Sequence, residues 1–121
     1  MGVNSLFLFS FTNSIGQDIS DVSESNNGKL TVLNSQNQEI SCLCIYSGDE
    51  LSGFSQYIIV TKSKDGKVIV YDQDFRQISY KYLYEGDSVK NVSGSNIIIR
   101  RKDGKIITYN KNFDEVSYRY E

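Results

Sequence analysis

The chain of 121 residues contains no histidine, no proline and no tryptophan. Histidine is the usual proton carrier near neutral pH, and it is the customary base of a serine or cysteine nucleophile. Two acids that stand close together, Asp72 and Asp74, are replaced by Asn110 and Asn112 in a related segment, which is typical of turn residues rather than of a catalytic pair. We therefore predict that the protein is not an enzyme, and no catalytic residue is assigned.

Cysteine is scarce as well, since only Cys42 and Cys44 are present. Two residues apart on a strand, they would face the same way, and a bridge between them would be strained. Zinc would require further cysteine or histidine ligands, and the Asp72–Asp74 segment lacks the glycine and the distant acid of a calcium loop. We predict two buried thiols in a reducing compartment, no metal and no cofactor.

Long apolar runs are missing. The run LFLF at residues 6–9 is too short to cross a bilayer, and no basic residue precedes it as a signal peptide would require. The opening MGVNSL has Leu6 where the myristoylation pattern needs serine or threonine. The sequence thus predicts a cytoplasmic protein without a membrane partner.

A repeat organises what is present. The segment KDGKVIVYDQDFRQISYKY at residues 64–82 returns 38 residues later as KDGKIITYNKNFDEVSYRY, with ten of nineteen positions identical. A third, more diverged copy begins at NNGKLTVLNSQNQEISCLCI, in which the two cysteines occupy the positions of Tyr80 and Tyr82. Such periodicity indicates a repeat architecture. We divide the single domain 1–121 into units of approximately 1–48, 49–86 and 87–121.

Each unit is predicted to contain four strands. Asp65-Gly66 and Asp103-Gly104 lie between continuous β-branched runs, which predicts tight hairpins joining central strands that are covered on both faces. The alternation in ISYKYLY predicts an outer strand with Lys81 pointing into solvent. Short opening strands are predicted at 19–22, 51–54 and 89–92, with LFLFSF as a further strand. Core packing between units is predicted for a tyrosine set: Tyr80, Tyr82, Tyr84, Tyr118 and Tyr120.

The succession Ile-Ile-Val, Lys-Asp-Gly, Val-Ile-Val-Tyr-Asp and Asp-Phe resembles β-propeller blades of the WD40 or NHL type. This resemblance covers residues 51–121 and implies an all-β chain of propeller-like blades. Propellers usually have four to eight blades, so three would form a half ring completed by pairing, because the end blades would otherwise expose large apolar faces. The rival fold is a β-trefoil, which is closed and similar in repeat number and length.

Basic residues recur around equivalent hairpins and are predicted to form a partner-binding rim: Lys62, Lys64, Lys67, Arg100, Arg101, Lys102 and Lys105. Nucleic acid is not the predicted partner, because no aromatic-rich recognition motif accompanies these charges and the whole chain has a net charge of −2. Charge is also unevenly divided, with −5 on residues 1–57 and +3 on residues 58–121. This asymmetry predicts an end-to-end contact between copies that added salt weakens.

Repetition without a reactive constellation favours a non-enzymatic interaction or scaffold module. Its predicted partner is a protein, which includes a second copy of this chain or another partial propeller. A trefoil would instead predict a binding module for a small ligand or glycan. A third interpretation is a subunit that has no function outside a larger complex.

Overall fold

The computed structural model describes residues 18–121. Its regular secondary structure in that range is entirely β, which confirms the predicted class. The run LFLFSF lies outside the described residues. No helix among residues 18–121 is long and apolar enough to cross a membrane. The strands are β1 (Asp21–Glu24), β2 (Lys29–Leu33), β3 (Glu39–Cys44), β4 (Glu50–Phe54), β5 (Ile59–Lys62), β6 (Lys67–Tyr71), β7 (Gln77–Tyr82), β8 (Ser88–Ser93), β9 (Asn96–Arg100), β10 (Lys105–Asn110) and β11 (Glu115–Tyr120).

These strands form three antiparallel sheets in which each strand pairs with its neighbour in the chain. The orders are β1-β2-β3, β4-β5-β6-β7 and β8-β9-β10-β11, one sheet for each unit. A β-trefoil would join strands of all three units in one barrel, whereas the pairing described here stays within a unit. The trefoil alternative is therefore wrong, and the interpretation as separate stacked sheets is confirmed.

The first unit differs from its prediction at its opening strand. Residues 19–22 were expected to correspond to 51–54, but β1 is Asp21–Glu24 and pairs with β2. A step of 38 residues carries β1 onto β5, so β1 is the equivalent of the second strand of the other units. The repeat spacing, rather than the Ile19–Val22 apolar pair, was the signal to follow.

The predicted Asp-Gly hairpins are confirmed. Gly66 and Gly104 have φ angles of 92° and 91°, in the left-handed region that glycine enters without steric cost. The amide of Gly66 donates to the carbonyl of Ser63 at 3.1 Å, and the carbonyl of Gly66 accepts the amide of Leu83 at 2.9 Å. The glycine therefore closes the turn and also anchors the end of β7.

The central strands are buried on both faces, as predicted. Ile59 belongs to a core cluster shared with Val22, Leu30 and Val32 of the first unit. Ile58 and Val60 point to the other side and join a cluster with Ile97 and Ile99 of the third unit. Alternate residues of one strand thus fill two different cores, which explains why the apolar run is continuous.

The opening strands of the second and third units meet at a glycine. Strands β4 and β8 are in contact, and a Cβ built on Gly53 would lie 2.8 Å from Cγ2 of Val92. Farther out, the Ser79 hydroxyl donates to the carbonyl of Lys111, and Ser41 makes the equivalent bond to the carbonyl of Gln73. The recurring serine therefore connects each outer strand to a turn of the next unit.

The outward face of the first unit is more polar than expected for an uncovered end. Since Leu30 and Val32 point to the second unit, the alternate residues Thr31 and Leu33 point away from it. Thr31 stands where the second and third units have Ile69 and Ile107, and Asp21 stands where they have Ile59 and Ile97. The expectation of a large apolar face at this end is wrong for the described residues.

Candidate functional site

The predicted basic residues border two hairpins of adjacent units. Lys62, Lys64 and Lys67 surround the β5–β6 turn, whereas Arg100, Arg101, Lys102 and Lys105 surround the β9–β10 turn. A cavity beside Lys62 and Lys64 and a second beside Arg101 and Lys102 share Glu85 and Asp87 in their lining. The structure therefore brings the two groups to opposite sides of the loop that leads from β7 to β8.

Acidic residues balance much of this predicted rim. Arg100 pairs with Glu121 at 2.5 Å and Arg101 with Asp103 at 3.3 Å, while the amide of Lys102 donates to Asp87 Oδ1 at 3.0 Å. These pairs are substantially exposed and contribute little to stability. The hairpin ends form a mixed-charge surface.

Two members of the rim lie against aromatic rings instead. The Lys67 ammonium is 4.6 Å from the centroid of Tyr80, and the Lys105 ammonium is 4.3 Å from that of Tyr118. Both distances are within the range of cation–π attraction. Each lysine thus helps to fix the orientation of a tyrosine on the outer strand of its own unit.

The tyrosines of the outer strands are exposed, so the prediction that they pack in the core is wrong. Tyr80 and Tyr82 are 53% and 52% exposed, and their equivalents Tyr118 and Tyr120 are 58% and 63% exposed. Tyr84, in the loop after β7, is 80% exposed. Among residues 18–121, none of the buried cluster residues lies on β3, β7 or β11, and of β7 only Ile78 packs against a core cluster as a partly buried residue.

Cys42 and Cys44 share this position and are also exposed, which corrects the prediction of buried thiols. Their equivalence to Tyr80 and Tyr82 is correct, but the position itself is not a core position. Within each tyrosine pair the rings meet edge to face, with centroids 6.1 Å apart for Tyr80 and Tyr82 and 6.3 Å apart for Tyr118 and Tyr120.

Lys81 was expected to point into solvent and instead faces the third unit. It is half-buried, it pairs with Val68 across the sheet, and its ammonium is 5.4 Å from the centroid of the Tyr109 ring. The alternation in β7 was identified correctly, but the more buried face is the one that bears Ser79 and Lys81. Because Tyr is usually less polar than Lys, sequence reasoning assigned the two faces in reverse.

Next to Lys81 is a cavity of about 310 Å³ between the second and third units. Ile99, Ile107 and Tyr109 line one side of it, and Lys81, Arg101 and Asp87 contribute the charges. Burial raises the pKa of Tyr109, with Glu115 and Asp87 adding to the effect and Arg101 opposing it. The cavity therefore combines apolar side chains with a neutral phenol, two cations and one acid.

Asp72 and Asp74 serve the β6–β7 turn, as the turn interpretation predicts. Asp72 Oδ1 accepts the amides of Asp74 and Arg76 at 2.9 Å each, and Asn110 Oδ1 accepts the equivalent amides of the third unit. Within residues 18–121, no group of three or more histidine, cysteine or acidic residues is placed to hold a metal ion.

Solved structures share this arrangement of sheets. BamB from Moraxella catarrhalis has a TM-score of 0.55 at 16% identity, covering 83% of this chain and 32% of its own. Sqt1 from Saccharomyces cerevisiae has a TM-score of 0.53 at 20% identity, covering 80% and 29% respectively, and Hsv2 from Kluyveromyces marxianus has 0.52 at 13%, covering 83% and 39%. All three are β-propeller proteins. The chain is a partial β-propeller.

This partial propeller spans roughly a third of the length of the structures it matches. At these identities the match concerns the fold alone. No family model matches the sequence, and no curated protein matches it either. In propeller terms, β4 and β8 are innermost strands, β3, β7 and β11 are outermost strands, and the 310 Å³ cavity opens between the second and third blades.

Proposed function

We propose that this partial propeller is a non-enzymatic scaffold that binds a protein partner through the tyrosines of its outermost strands. One observation carries the proposal: a pair of half-exposed tyrosines recurs at the repeat spacing on adjacent blades, each with a lysine held over its first ring. Propeller folds are typical binding and scaffold modules, which supports the same conclusion.

Leaving these tyrosine rings exposed to water is unfavourable. Contiguous exposed aromatic surface is uncommon on soluble proteins and marks interaction sites. Tyrosine is enriched at the energetic centre of protein interfaces because it provides a large apolar area, a hydroxyl and few rotatable bonds. The lysine above Tyr80 or Tyr118 reduces that freedom further, so less entropy is lost when a partner binds.

The test compares the wild-type protein with a Tyr80→Ser/Tyr118→Ser double variant. A protein captured from a native extract is purified, and its affinity for both forms is measured by titration calorimetry. We expect at least about a tenfold loss for the double variant, the cost of about 1.4 kcal/mol at a hot-spot aromatic. The matched control is Tyr57→Ser, because Tyr57 is 47% exposed but precedes β5, away from the outermost strands.

Circular dichroism confirms that the variants are folded before affinities are compared. Equal affinity for the wild type and the double variant would show that the tyrosine surface is not the binding surface. Failure to capture any partner that survives purification and binds directly would remove the scaffold function itself.

We also propose that a second copy of the chain contacts the end blades and completes the ring end to end. Ser117 repeats the position of Ser41 and Ser79, whose hydroxyls connect to the next blade, so its hydroxyl is placed to make the same bond to a further blade. The acidic first half and basic second half favour contact between unlike ends. Sedimentation equilibrium at low and high salt tests this: we expect a dimer that dissociates as salt is added, and a monomer at every salt concentration would refute it.

A reducing cytoplasm is the location we propose, because two exposed free thiols persist most readily there. Fractionation of cells that produce the tagged protein checks this location. Recovery in an oxidising compartment would contradict it.

A further inference from the structure

We propose that the cleft between the second and third blades binds the carboxylate of an acidic side chain in an extended peptide segment. The proposal rests on the proposed scaffold function and assigns one recognition site within it. The cleft is the 310 Å³ cavity that Lys81, Arg101 and Tyr109 line together with Ile99 and Ile107.

Lys81 is a cation at the wall of the cleft. Its side chain is half-buried over the Tyr109 ring, and among residues 18–121 no carboxylate lies within ion-pair distance of it. A partly desolvated cation gains more from an anion than a fully hydrated surface lysine does. Lys81 is therefore an unpaired positive charge held at the wall of a cavity.

The Tyr109 hydroxyl is a hydrogen-bond donor in the same cleft. The phenol is protonated at neutral pH, as tyrosine normally is, and burial raises its pKa further, so the hydroxyl can donate a hydrogen bond there. Among the described residues the Tyr109 hydroxyl has no hydrogen-bond partner, whereas its equivalent Tyr71 bonds Thr61. A hydroxyl donor and an ammonium in one cavity match the acceptor oxygens of a carboxylate.

The equivalent junction between the first and second blades shows what distinguishes this cleft. A step of 38 residues replaces Lys81 by Leu43 and Arg101 by Ser63, so both cations are absent there. The equivalent of Ile99 is Thr61, whose side chain is hydrogen-bonded to the Tyr71 hydroxyl. The chain therefore contains its own version of the same site without the two cations, in which Asp49 takes the place of Asp87.

The apolar wall favours an amino-acid side chain over a bare inorganic anion. Tyr82 and Tyr84 also line the cavity, are 52% and 80% exposed, and offer ring surface on which the methylene groups of glutamate can pack. Against the two cations stands Asp87, whose Oδ1 accepts the amide of Lys102, and Arg101 also pairs with Asp103. Lys81 is thus the cation most available to a ligand.

The test uses a fluorescein-labelled peptide of alternating glutamate and glycine and a matched peptide with glutamine in place of glutamate. Fluorescence anisotropy gives their affinities for the wild type and for two variants, Lys81→Leu and Arg101→Ser, which install the residues of the first junction. We expect the glutamate peptide to bind at least about tenfold more tightly than the glutamine peptide, and Lys81→Leu to weaken it about tenfold. Arg101→Ser should have a smaller effect, about threefold, because Arg101 is shared with Asp103.

Lys111→Ser is the control, since Lys111 is an exposed cation in the β10–β11 turn outside the cleft lining and its removal changes the net charge equally. We expect less than about a twofold effect from it.

Amide chemical shifts of the isotope-labelled wild type provide a measurement that needs no variant: the glutamate peptide should move the signals of Ile107 and Tyr109.

An equal loss in Lys111→Ser and Lys81→Leu would overturn the proposal in favour of general charge attraction. Inorganic phosphate that displaces the peptide at equal concentration would overturn the assignment to an acidic side chain. If no shift appears at Tyr109 while the partner still depends on Tyr80 and Tyr118, the cleft fails and the scaffold function stands.

Discussion

Replacing Gly53 by alanine tests how closely the innermost strands of the second and third blades approach. The added Cβ would lie 2.8 Å from Cγ2 and 3.3 Å from Cβ of Val92, which is itself buried at 9% exposure. Overpacking of this kind costs about 1–3 kcal/mol, and the smaller entropy of the unfolded alanine chain offsets about 0.4–1 kcal/mol of it. We therefore expect Gly53→Ala to lower the free energy of unfolding by about 1–2 kcal/mol.

A double-mutant cycle isolates this contact. Val92→Ala alone removes two buried methyl groups and should cost about 2 kcal/mol, because transfer and cavity contributions add. In the double variant the new methyl group of residue 53 enters the space that Val92 leaves. The double variant should then lose about 2 kcal/mol rather than the sum of the two single losses, which is a coupling of about 1–2 kcal/mol.

Urea denaturation followed by circular dichroism gives each free energy of unfolding, and thermal melts should show a fall of about 4–8 °C for Gly53→Ala. Strict additivity, or a Gly53→Ala variant as stable as the wild type, would refute the close approach of β4 and β8. An unchanged denaturant slope across the four proteins confirms that the same transition is compared.

Further predictions concern the turns and the buried phenols. Asp72→Ala should cost about 1–2 kcal/mol in urea denaturation because two backbone amides lose their acceptor, whereas Asp72→Asn should be neutral, as Asn110 already fills this role. Phe75 has a φ of 59° and packs on Tyr71, so Phe75→Ala should be about 1 kcal/mol less stable than Phe75→Asn, since asparagine tolerates that conformation. Burial raises the pKa of Tyr71 and Tyr109 in the folded state, so their contribution to stability is complete below the unfolded value of about 10 and is lost as pH rises through the folded value. Urea denaturation at pH 9 and pH 11 should therefore show a decline that Tyr109→Phe reduces.

Much of the fold follows from the sequence because the repeat and its turn chemistry are local signals. The 38-residue step, the Asp-Gly turns and the continuous apolar run around Val60 predicted the sheets, their strand order and the doubly buried strands. The opening strand of the first unit was misplaced because Ile19 and Val22 are apolar and buried, although only the second of them lies in a strand. A contribution to a core does not by itself define a strand.

The candidate site was less predictable, because it depends on which face of each sheet packs against the next blade. Alternation correctly separated Tyr80 from Lys81, yet it cannot state which face meets the next blade. The cleft requires Lys81, Arg101 and Tyr109 from three different strands or turns, and their meeting depends on the stacking of two sheets. The sequence did contain one signal for the cleft: the equivalents of Lys81 and Arg101 at the first junction are Leu43 and Ser63, which carry no charge.

The strict 38-residue step has a consequence for how such a gene can change. Every strand and turn of the third blade follows its counterpart in the second without an inserted or deleted residue from 50 to 120. An unequal crossover within this stretch would lengthen or shorten the protein by one whole blade while leaving each hydrogen-bonded turn intact. The number of blades can therefore change in whole units, and each new junction between blades has the packing of the existing ones.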